Sequence, residues 1–221
     1  MVYDLHRDPR SSHQRIARIV RRVGRDPILD VGAASGQLGR LLEGSGLAID
    51  AIEPDIAAAE SAAPYYRSVQ HATVEAADLK AGTYRVIVCA DVLEHTADPA
   101  AVLRLLLTAA VDDALVIVSV PNIGHLAARA IVAAGHFPQH ERGIFDRTHL
   151  QFYTRQTAVD LVRSSQLRVL RVIPTPVPLE QIWPKRLPHA SLEAAMRLQG
   201  LATRLAPTLF AFQWVIVTER T

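Results

Sequence analysis

Ile28-Leu29-Asp30-Val31-Gly32-Ala33-Ala34-Ser35-Gly36-Gln37-Leu38-Gly39-Arg40-Leu41-Leu42 changes its hydrophobic period part-way along. Its first four residues read as a short buried strand. Leu38, Leu41 and Leu42 then recur at the spacing of one helix face. Between them lies a turn of small residues, where Gly32 and Gly36 let the backbone bend sharply and approach a ligand with no Cβ in the way. Strand, glycine turn and helix in this order form the unit with which open α/β sheets hold nucleotide-like cofactors.

The spacing bears on which cofactor. A dinucleotide fingerprint needs glycine at the first, third and sixth positions, and here Ala34 is third and Gln37 sixth. Asp30 stands two residues before Gly32. A carboxylate at the strand end repels a diphosphate and attracts a cation. S-adenosylmethionine carries a sulfonium and an ammonium, and fits this turn better than a dinucleotide does.

Upstream, Ile16, Ile19, Val20 and Val23 sit at helical spacing among Arg15, Arg18, Arg21 and Arg22, which predicts an amphipathic helix over residues 11–23 with a basic outer face. Downstream, Gly44 and Gly46 end the helix, and residues 47–52 read as a second strand stopped by Glu53-Pro54-Asp55. An acidic residue about twenty positions past the glycine turn, at the end of the next strand, is placed to accept hydrogen bonds from a ribose diol. Glu53 is that candidate, and Asp55 the N-cap of the following helix. A third strand is expected over residues 67–71. Residues 84–90 form an apolar strand, uninterrupted after Arg85, as expected of a central parallel strand buried on both faces. It ends in Asp91-Val92-Leu93-Glu94-His95. Asp98-Pro99 opens a helix over residues 100–110, Asp112-Asp113 reads as its break, and residues 114–120 form a fifth buried strand halted by Pro121-Asn122.

Taken together, these pieces make the chain resemble the class I S-adenosylmethionine-dependent methyltransferases, of the group that includes ubiquinone-biosynthetic O-methyltransferases and many natural-product and sugar methyltransferases. The resemblance is carried by Leu29-Asp30-Val31-Gly32 with Gly36, Glu53, Ala77-Asp78-Leu79, Asp91-Val92-Leu93-Glu94-His95 with Asp98-Pro99, Val120-Pro121-Asn122, and His149-Leu150-Gln151-Phe152-Tyr153-Thr154. It runs over residues 27–173, and a last strand at 212–217 also fits. It implies an α/β fold with a Rossmann-like, mostly parallel seven-stranded sheet, helices on both faces and the last strand antiparallel. It also implies roles by position. Asp30, Gly32, Ala33 and Gly36 would surround the methionine part of the cofactor. Glu53, followed by Pro54, would take the ribose hydroxyls. Asp78 would accept from the adenine amino group with Leu79 beside the ring, and Asp91 and Val92 would border the sulfonium. The family's turn commonly reads Gly-Cys-Gly-x-Gly. Here Ala33-Ala34 replaces the central pair, so negative φ is expected there if the methyls are to clear the cofactor.

Methyl transfer from a sulfonium is an in-line displacement, and a hydroxyl acceptor gains from a base as its oxygen attacks. Histidine suits that task near neutrality. His149 and His125 rank ahead of His95 as the catalytic base: His125 follows the fifth strand, His95 the fourth, and His149 precedes a late helix. An alternative use of the same region is a metal, since Asp91, Glu94, His95 and His149 would give two carboxylates and two imidazoles suited to Mg, Mn or Zn.

The 221 residues, 49% hydrophobic and 21% charged, suffice for a buried core in one large domain. A net charge of +2 is too small for a nucleic-acid partner. The single cysteine, Cys89, rules out an intrachain disulfide framework and suits a reducing compartment. Residues 1–8 lack the apolar core of a signal peptide, and no apolar run is long enough to span a bilayer. The expected organisation is an N-terminal helical segment over residues 1–24 and a methyltransferase domain over 25–221, with substrate or lid insertions at 123–148 and 174–208. In the second, prolines keep the first part extended, and Ser191 then caps a helix that ends near Leu205. That insertion is a candidate lid or homodimer contact. The leading expectation is a cytoplasmic enzyme, without stable membrane insertion, that methylates a small-molecule or sugar hydroxyl. C- or N-methylation and an inactive methyltransferase-like partner protein are the alternatives, and a nicotinamide oxidoreductase stands behind both.

Overall fold

A computed structural model gives residues 8–184 and 188–220; residues 1–7, 185–187 and 221, parts of the N-terminal segment and of the second insertion among them, lie outside the described residues. Helix α1 (Ser12–Val23) leads into strand β1 (Ile28–Val31), and the glycine turn into α2 (Gln37–Leu42). Strand β2 (Ile49–Ile52), helix α3 (Ile56–Ala62), strand β3 (Ser68–Gln70) and strand β4 (Tyr84–Ala90) follow. Asp55 and Asp98 behave as N-caps: their side chains accept the N–H of Ala58 and Ala101, and Asp98 starts α4 (Pro99–Ala109). Next come β5 (Ala110–Pro121), α5 (Leu126–Ala133), α6 (Arg155–Ser164) and β6 (Leu167–Thr175). The chain closes with α7 (Leu179–Ile182), α8 (His189–Leu205), α9 (Pro207–Phe210) and β7 (Gln213–Arg220).

The strands form one seven-stranded sheet in the order β3-β2-β1-β4-β5-β7-β6. Pairings from β3 to β5 are parallel, and β7 runs antiparallel to both β5 and β6. The strand order reverses between the parallel neighbours β1 and β4, the place where such sheets open a crevice at their carboxyl ends. Because alternate residues point to opposite faces, β1 feeds two cores. Ile28 packs with Ile16, Val20, Leu38, Leu42, Val86 and Val88 beneath α1 and α2. Leu29 and Val31 pack with Ile87, Cys89, Leu103, Leu106 and Val162 beneath α4 and α6. Helices on both faces explain why β4 is apolar throughout from Val86 to Ala90, beyond the exposed Arg85. Among the described residues, no helix is long and apolar enough to cross a membrane.

Two expectations need correcting. Asp112 and Asp113 do not end a helix in a break, because they lie inside β5. Its register against β4 slips there, from Tyr84 opposite Ala110 to Val86 opposite Leu115. The acidic pair rides on this irregularity, exposed, with Asp113 paired to Arg25 at 2.7 Å and Asp112 to Arg220 at 3.8 Å. Ser191 is not a helix cap either: α8 already begins at His189, and the Ser191 hydroxyl donates to the Pro188 carbonyl within its first turn.

Candidate functional site

At the end of β1 the amides of Gly32 and Ala33 both donate to the Ile52 carbonyl, at 2.8 and 3.2 Å, so the turn stays tied to β2. Gly32 has φ +71°, and a Cβ there would lie 2.6 Å from Cγ2 of Val92. Gly36, at φ +84°, leads α2 away from the sheet. Ala34 also has a positive φ of 47°. That overturns the expectation of negative φ, and it places an alanine where the left-handed conformation favours glycine. Ala33 is not among the positive-φ residues.

Two carboxylates brace this turn in different ways. Glu53, buried just past the end of β2, accepts the Ala34 amide at 2.7 Å and the amide of Asp55, the N-cap of α3, at 2.9 Å. A carboxylate offers about four lone-pair sites, so both oxygens retain capacity for a further donor. Asp30 is 3% exposed and accepts the Tyr66 hydroxyl at 2.5 Å. The Tyr66 oxygen in turn accepts the Gly39 amide at 3.0 Å, and its ring occupies the space where a Cβ on Gly39 would stand. Burial pushes the Asp30 carboxyl up to about 7 although the Tyr66 hydrogen bond opposes it. Burial and the neighbouring Asp30 charge drive the Tyr66 phenol upward, so it stays a donor.

Beyond β4, Asp91 adopts φ +56°. One of its oxygens accepts the Ser119 hydroxyl at 2.7 Å from β5, and the other the Gln213 amide at 2.8 Å from β7. Residues Leu93–His95 then form a single 3-10 turn. Glu94 within it is 1% exposed, and neither carboxylate oxygen has a hydrogen-bond partner. Burial raises its pKa well above the ordinary carboxylate range, with the Asp91 charge adding to the effect. The Glu94 carbonyl accepts the amides of Leu150 and Gln151 at 2.7 and 3.0 Å. This tether draws the late loop onto the turn and sets the His149 ring against that of His95, with centroids 4.8 Å apart. Burial, helped by the proximity of His95, lowers the pKa of His149.

A cavity of about 560 Å³ gathers these groups, within the usual size of a ligand pocket. Of the residues singled out in the sequence, it brings together Asp30, Gly32, Ala33, Asp91, Glu94, His95 and His149. Gly36, Glu53, Pro54, Asp78, Leu79 and Val92 are not part of its lining. The Asp78 backbone is pinned by Gln70 on both sides, and its side chain is exposed. His125 also lies outside the lining; it is the N-cap of α5, its Nδ1 accepting the Ala127 amide at 3.2 Å.

Sequence reasoning missed His13. It sits in the first turn of α1, lines the cavity, and has its pKa lowered by burial against an opposing pull from Asp91. A signal existed, since His13, Ile16 and Val20 share one helix face at i, i+3 and i+7. Arg142, from the loop after α5, lines the same cavity.

A profile of the family described as "Methyltransferase domain" matches residues 1–172. The chain belongs to that family. This methyltransferase is an enzyme of methyl transfer. A search of curated proteins found no match. Among solved structures, it is similar in fold to a SAM-dependent methyltransferase from Archaeoglobus fulgidus, at 16% identity over 96% of each chain with a TM-score of 0.63. A Burkholderia thailandensis 1,6-didemethyltoxoflavin-N1-methyltransferase with bound S-adenosylhomocysteine is 13% identical over 96% of this chain and 79% of that one, with a TM-score of 0.60. The magnesium protoporphyrin IX methyltransferase of Synechocystis, also with S-adenosylhomocysteine, is 14% identical over 95% and 82%, with a TM-score of 0.60. The methyltransferase therefore keeps the fold of these proteins with little of their sequence.

Proposed function

We propose that this methyltransferase moves the methyl of S-adenosylmethionine onto a hydroxyl oxygen of a small molecule, a natural product or a sugar, in the cytoplasm. The observation that carries the reading is the convergence of Glu94, His95 and His149 on the cavity that also holds Asp30, Gly32 and Asp91. In this reading Asp30 and the Gly32–Gly36 turn hold the methionine end of the donor, with Asp30 facing its ammonium. Glu53 and Pro54 border the ribose, and Asp78 and Leu79 the adenine. Asp91 and Val92 flank the sulfonium.

The acceptor oxygen attacks the methyl carbon in line with the carbon–sulfur bond. That bond breaks as the carbon–oxygen bond forms, and S-adenosylhomocysteine leaves. The hydroxyl proton passes to the histidine pair, with His149 as base and His95 beside it. Alignment of the two substrates in one cavity supplies much of the acceleration. The 174–208 insertion serves as a homodimer contact in this reading, since α8 leaves Leu198, Leu201 and Leu205 exposed.

The test incubates the enzyme and S-adenosylmethionine with hydroxylated small molecules and sugars, each beside its amino-substituted counterpart. Release of S-adenosylhomocysteine is followed, and the methylated atom is assigned by NMR. A methyl on oxygen is expected. Turnover confined to the amino series, or a methyl found on nitrogen or carbon, overturns the reading.

A further inference from the structure

Helix α1 begins without an acid to meet its positive end. It runs for 12 residues, and its first turn holds no acidic side chain. Its ladder starts where the Arg15 amide donates to the Ser11 carbonyl at 3.0 Å, so the amides of Ser12 and His13 have no partner inside the helix. Asp8, just upstream, is engaged elsewhere. Its carboxylate accepts the Arg10 amide at 2.8 Å and the Arg10 guanidinium at 3.0 and 2.9 Å. Among the described residues, no side chain of α1 or of its approach answers the partial positive charge at this helix end.

A second observation comes from the N-cap itself. A serine there usually turns its oxygen onto the first amides of its own helix. Ser11 makes no such bond; the residue is 8% exposed, and its Oγ is buried with no partner among the described residues. A buried hydroxyl in that state is costly unless a ligand meets it. Ser11, Ser12 and His13 all line the cavity. The His13 ring adds a further donor, since a neutral imidazole donates from one nitrogen. Asp91 is the acid whose charge acts on His13, whereas Tyr66 and Glu53 are the groups that act on Asp30. The start of α1 thus stands on the β4 side of the cavity rather than beside Asp30.

We propose that the start of α1, with the Ser11 hydroxyl and the His13 ring, binds a carboxylate carried by the methyl acceptor. Two amides, a hydroxyl and an imidazole are donors enough for both oxygens of one carboxylate, and the helix dipole favours its charge. The acceptor class narrows accordingly to hydroxylated acids, such as uronic or phenolic acids. This assignment rests on the reading in which the cavity seats the acceptor beside the donor. The donor has a carboxylate of its own, and a decarboxylated donor analogue separates the two sources.

Binding alone tests the subsite, with no turnover needed. The full chain is saturated with S-adenosylhomocysteine, then titrated by calorimetry with glucuronate against glucose and with 3-hydroxyphenylacetate against its amide. In one pair or both, the acid is expected to bind at least about tenfold more tightly than its neutral partner. Ser11→Ala and His13→Ala should each remove most of that preference, while Arg22→Gln, at an exposed position of α1, leaves it unchanged. The Ser11 side chain caps no amide, so the alanine variant keeps the helix, and melting temperatures check that every variant is folded. Equal affinity for acid and neutral partner in both pairs, or a preference that both variants retain, overturns the proposal. So does a Ser11→Ala loss of S-adenosylhomocysteine affinity that vanishes with the decarboxylated analogue, which would give the subsite to the donor. An acid preference that follows Ser11 and His13 while methyl goes to nitrogen or carbon would leave the subsite standing and remove only the hydroxyl reading.

Discussion

Replacing Tyr66 by phenylalanine isolates the buried hydrogen-bonded pair it forms with Asp30. The ring that fills the space above Gly39 is kept, so no cavity opens. Two hydrogen bonds are lost, one to Asp30 at 2.5 Å and one from the Gly39 amide at 3.0 Å. In the acid range Asp30 is protonated, and the loss is mainly the buried Gly39 N–H, about 2 kcal/mol. Asp30 has a folded pKa near 7, above its unfolded value of 3.8. Its contribution to stability is therefore greatest below 3.8 and falls as pH rises through 7. Without the hydroxyl that favours the charged form, the folded pKa climbs further, by about one unit or about 1.4 kcal/mol. The expected destabilisation is thus about 2 kcal/mol near pH 5.5 and about 3–4 kcal/mol near pH 9. Urea unfolding of both proteins at the two pH values measures it. An equal loss at both would refute the assignment of Tyr66 as the hydrogen-bond partner of a titrating Asp30.

Three further outcomes are expected. If ionised Asp30 receives the donor's ammonium, S-adenosylhomocysteine affinity measured by calorimetry should rise about tenfold per unit as pH approaches 7, then level off; a flat profile from pH 5 to 8 would count against that role. Ala34→Gly relieves a left-handed alanine, worth about 1–2 kcal/mol, against the entropy glycine adds to the unfolded chain, about 0.5–1 kcal/mol; a small rise in melting temperature is expected, and a fall would show that the turn prefers the methyl. His125→Ala should lower stability by about 1 kcal/mol through the lost α5 cap and leave the methyl-transfer rate unchanged; a large rate loss in a folded variant would restore His125 as a base.

The sheet was legible because its signals are local. The change of period at Gly32, the apolar run at β4 and the capping aspartates each rest on neighbouring residues. Asp112 and Asp113 misled because an acidic pair inside a strand depends on a slip against β4, which no local pattern records. The same distinction governs the site. Asp30 and Asp91 could be named from the motifs that contain them. That Glu94 lacks partners depends on the fold around it, and so does the meeting of His95 and His149, which follows from two amides 56 and 57 residues further on reaching the Glu94 carbonyl. His13 escaped because its helix was read for the basic side chains on its outer face.

Gln213 opens the last strand and bonds to Asp91 across 122 positions of chain. β7 follows β6 in the chain yet lies between β5 and β6 in the sheet. Displacement of this strand would leave one oxygen of Asp91 without its amide, and β6 without the neighbour that joins it to the rest. A single strand thus couples the Asp91 carboxylate to the outer edge of the sheet, and whatever frees β7 withdraws both supports at once.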